Sequence, residues 1–247
     1  MQMTNTVKQL LIINIIFFIG SQFVPMANPM FSMYYPESSN FRVWQPITHM
    51  FMHGSVMHIF FNMFALYSFG STLEHFWGSK KFIFFYISCG LGAVLLHTGV
   101  NYYQYHHALS LLQEANIPQN EILAILKEGR YNNSILDVVP LSDIKNMYLA
   151  YNIPVLGASG AIYGLLIAFT FMFPNAELGI MFIPIPIKAK YFVPIFMILY
   201  DGLFGIFGSS IGVGDDVAHF AHLGGAITGF IMMWYWKRNQ FNKNRWN

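Results

Sequence analysis

Five long apolar stretches, at about 9–25, 82–100, 156–173, 190–209 and 217–236, run through this chain almost without charge. Each is close to the ~20 residues a helix needs to cross the hydrocarbon of a bilayer. Within that hydrocarbon only helices and closed barrels satisfy every backbone polar group. A sixth stretch, about 56–76, is apolar but carries His58, Asn62, Glu74 and His75, the kind of polar set that faces the interior of a bundle. The chain is 55% apolar and 10% charged, against roughly 25% charged in an average soluble domain. An all-α membrane protein follows, a bundle of six transmembrane helices forming a single domain over residues 1–247.

Lysine and arginine orient this bundle. Lys8, Lys80, Lys81, Lys188, Lys190, Lys237, Arg238, Lys243 and Arg245, nine of thirteen, fall alternately on one side, which the positive-inside rule makes cytoplasmic, with both termini there. The other side receives Glu37, Glu114, Glu121, Glu128, Asp137, Asp143, Asp215 and Asp216. The net charge of +2 therefore conceals a basic inner face and an acidic outer one. A basic rim of this kind reflects topology and anionic lipid and gives no case for nucleic acid. The expected location is a multi-pass position in the cell membrane, a bacterial inner membrane, with the bilayer itself as a partner. The single cysteine, Cys89, excludes an internal disulfide. No small-residue cleavage site follows the first apolar run, which reads as an uncleaved helix.

Two segments break the pattern of short turns. The outer segment of about 26–55, with Met30, Phe31, Tyr34, Tyr35, Phe41, Trp44 and Phe51, has the aromatic content of a membrane interface. A polar outer insertion at about 103–153 separates the third helix of the bundle from the fourth; Glu121 to Lys127 reads as a short amphipathic helix and Ser142 as the cap of another. On the inner side, Pro174 and Ile183-Pro184-Ile185-Pro186 break the fourth helix from the fifth.

Polar residues in a bilayer need a structural partner or a function. Gly157-Ala158-Ser159-Gly160 follows Pro154 and places Ser159 in the first turn of a helix, where backbone N–H groups lack intrahelical partners and the dipole favours negative charge. Those donors suit a developing oxyanion; a helix cap with small residues for packing is the alternative. His222, Gly225 and Gly229 share one helical face by spacing, and Gly160 and Gly164 offer a matching one. Faces of this kind let transmembrane backbones approach closely, which brings the His222 imidazole within reach of the Ser159 hydroxyl. Tyr163, one turn below Ser159, either stacks on that imidazole or simply packs. His58 and Asn62, four apart, present donors suited to a tetrahedral oxyanion or bond one helix to another.

The chain resembles the rhomboid intramembrane serine proteases. Gly157-Ala158-Ser159-Gly160 with Tyr163 matches the family's nucleophile motif, Ala221-His222-x-x-Gly225 the motif of its base, and His58-x-x-x-Asn62 its oxyanion motif. Trp44 matches the start of a Trp-Arg loop motif in which Gln45 stands here for arginine, and Glu74 matches a structural glutamate. The resemblance implies Ser159 as nucleophile and His222 as general base in a dyad without a carboxylate. It places an oxyanion between His58, Asn62 and the Ser159 N–H, with Tyr163, Gly157 and Gly160 in support. The implied substrates are transmembrane proteins cleaved near the outer face, and no cofactor is implied. Oligomeric state is not specified.

Other chemistries fit less well. Tyr200-Asp201 and Gly212-Val213-Gly214-Asp215 spell aspartyl intramembrane protease motifs, but fourteen residues separate the two aspartates and the Pro-Ala-Leu motif is missing. Asp201 reads as a structural carboxylate that bonds a neighbour or is protonated, and Asp216, six residues before His222, has poor spacing for a shared face. His49, His53 and His58, or His219 with His222, have ligand-like spacings without a His-Glu-x-x-His motif. No metal is expected, and His219 reads as a cap or gate.

Overall fold

The structure, a computed structural model, describes residues 2–180, 183–197, 199, 201 and 219–240. Helix α1 (Asn5–Phe23) leads into the outer segment, which carries two short helices, α2 (Ala27–Phe31) and α3 (Gln45–Thr48). Ser55 then caps α4 (Val56–Ala65) by accepting the His58 N–H at 3.1 Å. A π-helical turn at Leu66–Gly70 carries α4 into α5 (Ser71–Trp77). Gly78, at φ +76°, supplies a backbone conformation that side chains resist and reverses the chain into α6 (Ser79–Glu114).

At 36 residues, α6 is about 54 Å long, well beyond the ~30 Å of hydrocarbon. The expected insertion at 103–153 therefore starts as the outer continuation of α6. It folds back through α7 (Gln119–Glu128) and α8 (Leu141–Asn152) around its own core of Tyr105, Leu112, Ile122, Ile125, Ile144 and Met147, with Tyr35 from the outer segment added. The amphipathic stretch at Glu121 to Lys127 is α7. Ser142 does not cap: it lies inside the first turn of α8, which begins directly after Pro140, whose fixed φ already suits a helix start.

Helix α9 (Ser159–Met172) is followed by an antiparallel hairpin, β1 (Glu177–Ile180) and β2 (Ile183–Lys188), with Glu177 opposite Lys188 and Ile180 opposite Ile183. The Ile-Pro repeat thus builds a strand where only a helix break was expected. A two-stranded ribbon has an open edge on which prolines spaced two apart sacrifice no ladder bond. Helices α10 (Ala189–Met197) and α11 (His219–Gln240) complete the described chain.

Helices α6, α9 and α11 pack on one another, and Leu10, Leu66, Phe82, Phe85, Tyr86 and Leu165 fill the core beside them. Ile16, Ile19, Phe60, Leu95, Phe230 and Ile231 point outward, a belt suited to acyl chains. Asn5–Phe23, Val56–Trp77 and Ser79–Glu114 are long and apolar enough to span a membrane. Ser159–Met172 is a shorter apolar helix, the 217–236 stretch is met by His219–Gln240, and the 190–209 stretch is only partly within the described residues.

Glu74 ties the inner end together. Its buried carboxylate accepts the Thr6 and Val7 N–H groups at 3.0 Å and the Ser79 hydroxyl at 2.6 Å, with the Thr4 hydroxyl as a fourth donor. It therefore closes the N-terminus of α1 and fastens it to the α5–α6 corner, as an anion at a helix start should. Glu74→Gln is expected to cost about 1.5–3 kcal/mol, the range for hydrogen bonds to a charged group. A thermal melt in detergent that matches the wild type would remove this role. Lys81 stacks over Trp236 at 4.2 Å, so the C-terminal end of α11, with Lys237 and Arg238, joins Lys8 and Lys80 at the same end of the bundle.

Candidate active site

The opposite end of the bundle holds the serine. The chain approaching α9 is pinned to the outer segment: Val155 and Met33 exchange two 2.8 Å backbone bonds, and the Gly157 N–H donates to the His49 carbonyl at 2.9 Å. The outer segment is itself organised by Gln45. Its buried amide accepts the Tyr34 and Arg42 N–H groups and donates to the carbonyls of Pro29 and Asn40. Gln45 is thus the hub of this loop, a stronger role than a departure from a Trp-Arg motif suggests.

Gly157 has φ +121°, and a Cβ there would lie 2.7 Å from His58 Nε2 and 3.6 Å from Ser159 Oγ. Conformation and space both demand glycine, and the absent side chain leaves the His58 ring close beside the serine. Asn62, on the next turn of α4, is buried, and its Nδ2 has no acceptor among the described residues. Buried amide donors rarely remain unpaired. His53 meets the His58 ring at 5.0 Å, and buried His53 and His49 each have a pKa lowered to about 4, chiefly by burial, with His58 adding to the effect at His53. Both are neutral near pH 7, so neither puts a positive charge beside His58.

Ser159 Oγ lies 2.8 Å from His222 Nε2. The approach depends on glycine: a Cβ on Gly225 would fall 1.8 Å from the Gly160 carbonyl oxygen, and one on Gly229 would fall 2.8 Å from the Gly164 Cα. Helices α9 and α11 therefore meet backbone to backbone, as their small-residue faces predict. Tyr163 stacks on His222 with ring centroids 4.3 Å apart and planes 13° from parallel.

One neighbour of His222 escapes the sequence reading. Asp201, four residues beyond α10, accepts from His222 Nδ1 at 2.8 Å and from His219 Nδ1 at 2.8 Å, both on Oδ1. All three groups are buried. The expectation of a histidine without a carboxylate partner is corrected by this contact, and His219 engages the carboxylate instead of merely capping or gating. The ligand atoms of Asp201, His219 and His222 lie within 4.8 Å of one another. Asp215, Asp216 and the Gly212-Val213-Gly214 run lie outside the described residues.

The signal for Asp201 was present. An intramembrane carboxylate needs a partner, and two histidines three apart share a helical face.

A Rhomboid domain matches residues 40–239 of the chain. Among curated proteins, the chain is 28% identical over 186 residues to RHOMBOID-like protein 12, mitochondrial, of Arabidopsis thaliana, covering 75% of this chain and 44% of that protein. It is 26% identical over 186 residues to Rhomboid protein 1, mitochondrial, of Saccharomyces cerevisiae, covering 75% and 39%. It is 37% identical over 60 residues to Rhomboid protease GlpG of Haemophilus influenzae, covering 24% and 31%. In each pairing the matched region spans less than half of the relative's length.

Proposed function

Since the chain belongs to the rhomboid family, we propose that it is an intramembrane serine endopeptidase that hydrolyses peptide bonds in or near transmembrane segments of membrane proteins. The observation that carries this reading is the 2.8 Å contact between Ser159 Oγ and His222 Nε2, made inside an apolar bundle. A serine hydroxyl is a weak nucleophile until a base takes its proton. Ser159 Oγ attacks the scissile carbonyl carbon while its proton passes to His222 Nε2. The imidazolium returns that proton to the leaving amine as the C–N bond breaks. A water then attacks the acyl-enzyme through the same base and restores the Ser159 hydroxyl. The oxyanion is held by the Ser159 N–H, Asn62 Nδ2 and His58, with Tyr163, Gly157 and Gly160 shaping the site.

In this reading the domain spans residues 1–247, with the 103–153 layer as an insertion. The basic end faces the cytoplasm of a bacterial inner membrane with both termini there, in accord with the positive-inside rule, so the serine opens toward the outer side. A fluorophosphonate probe is expected to label Ser159 covalently, and absence of label from folded protein would sink the nucleophile assignment.

Asn62→Ala and His58→Ala should each lower turnover by ~10², the usual loss for one oxyanion donor. The oxyanion exists only near the transition state, so KM should change little. A change confined to KM would move the pair to a structural role. Together they should lose less than the product of the single effects, since both grip one oxygen.

A further inference from the structure

We propose that Asp201 is a positioning residue for this reaction, its carboxylate fixing the tautomer and plane of His222 while His219 holds the carboxylate in place. The inference rests on the assignment of Ser159 and His222 above and adds a third member to that pair. A carboxylate at His222 Nδ1 can only accept, so Nδ1 carries the proton. The Nε2 lone pair is then left facing Ser159 Oγ, 2.8 Å away. The opposite tautomer would put a proton on Nε2 and remove the base. Tyr163 stacking fixes the ring face but does not choose between tautomers; among the described residues Asp201 is the group at Nδ1 that does.

His219 has a definite part in this arrangement. Its Nδ1 meets the same Oδ1 at 2.8 Å, so the oxygen that orients His222 is braced from a second direction. When His222 takes the serine proton, the nearby carboxylate balances the imidazolium within a bundle where water is scarce. Asp201 touches neither nucleophile nor substrate; it contacts His222, His219 and Tyr163 and acts on the reaction through His222.

The titratable groups facing His222 are Asp201 beyond α10, His219 on α11, Tyr163 and Ser159 on α9, His58 on α4 and His97 on α6. Asp201 is the acidic one among them. Replacing it by an isosteric amide removes the counter-charge and leaves the other groups unchanged.

The test is the kcat and KM of reporter cleavage in detergent for wild type, Asp201→Asn, His219→Gln and Ser159→Ala. Folding is monitored by thermal melts, and the His222 N–H is followed by proton NMR of histidine-labelled protein. Asp201→Asn should lose ~10² or more in kcat with KM little changed. That is less than the ~10⁴ loss seen when a triad carboxylate is replaced in a soluble protease, because Tyr163 still holds the ring. The downfield imidazole N–H resonance should disappear. His219→Gln should lose less than tenfold while keeping that resonance. If Asp201→Asn melts early, Asp201→Glu, which keeps the charge, should restore more activity than Asp201→Asn at equal folded protein. Wild-type kcat and an unchanged imidazole N–H resonance in folded Asp201→Asn, with Ser159→Ala inactive, would overturn this inference and leave the serine–histidine assignment standing. An active Ser159→Ala would defeat that assignment instead. Inactivation by a chelator, reversed by Zn²⁺, would make the Asp201, His219 and His222 cluster a metal centre and also overturn the proposal.

Discussion

Ser159→Ala and His222→Ala are each expected to abolish cleavage of a transmembrane reporter, with a loss of ~10⁴ or more in turnover. Each member of such a unit is worthless without the other, so their losses do not multiply. The double variant should fall to the level of the singles. The cost to folding differs between the two. Ser159 is only partly buried and loses one oxygen, so its thermal melt should match the wild type. Removing His222 deprives the buried Asp201 carboxylate of one of two donors to Oδ1, a cost of ~1–3 kcal/mol for a group left short of partners. Turnover must therefore be compared per folded molecule. Residual cleavage within about tenfold of wild type in either variant would remove the pair from the reaction.

The parts of this site legible in the sequence obey short-range periodicities. Ser159 with Tyr163, His222 with Gly225 and Gly229, and His58 with Asn62 sit at three- to seven-residue spacings that fix one helical face. The glycine faces predict the close crossing that joins two of these sets. Asp201 reads as a carboxylate that bonds a neighbour, but which neighbour is not legible because it reaches His222 from another segment, twenty-one residues away. A search for a third partner along His222's own stretch finds only the badly spaced Asp216. The role of Gln45 is hidden for a similar reason: backbone groups of four loop residues converge on one amide, and loops have no period.

Hydropathy has a different blind spot. It marks where α6 can leave the bilayer but not that the helix continues to Glu114, since the extension is stabilised by packing on α7 and α8 rather than by lipid. The hairpin at Glu177–Lys188 reads as helix-breaking because proline excludes a helix and equally permits an edge strand.

Gly225→Val is expected to silence the protein by moving α11 away from α9, a second large effect with a geometric cause. A Cβ on Gly225 would sit 1.8 Å from the Gly160 carbonyl oxygen, where ordinary contact begins at 3.4 Å. The obstructing atom is backbone, so no rotamer change relieves the clash, and the helices must separate by about 1.6 Å, the difference of those two distances. The Ser159–His222 contact of 2.8 Å spans the same crossing and would open beyond hydrogen-bonding range. A misplacement of ~1 Å in a reacting geometry already costs ~10²; losing the bond altogether should exceed 10³, with a lower melting temperature from the disrupted seam. A graded series separates this cause from general intolerance. Gly229→Ala, whose Cβ would meet the Gly164 Cα at 2.8 Å, requires a smaller shift one turn further from the serine and should be milder than Gly225→Ala. Gly54→Ala, whose nearest neighbour is Leu156 at 3.7 Å, and Gly20→Ala, with nothing within 4 Å, should retain activity. If Gly225→Val cleaves the reporter at the wild-type rate, the backbone crossing does not set the distance between Ser159 and His222, and the glycines on α9 and α11 would have to be explained by some other need.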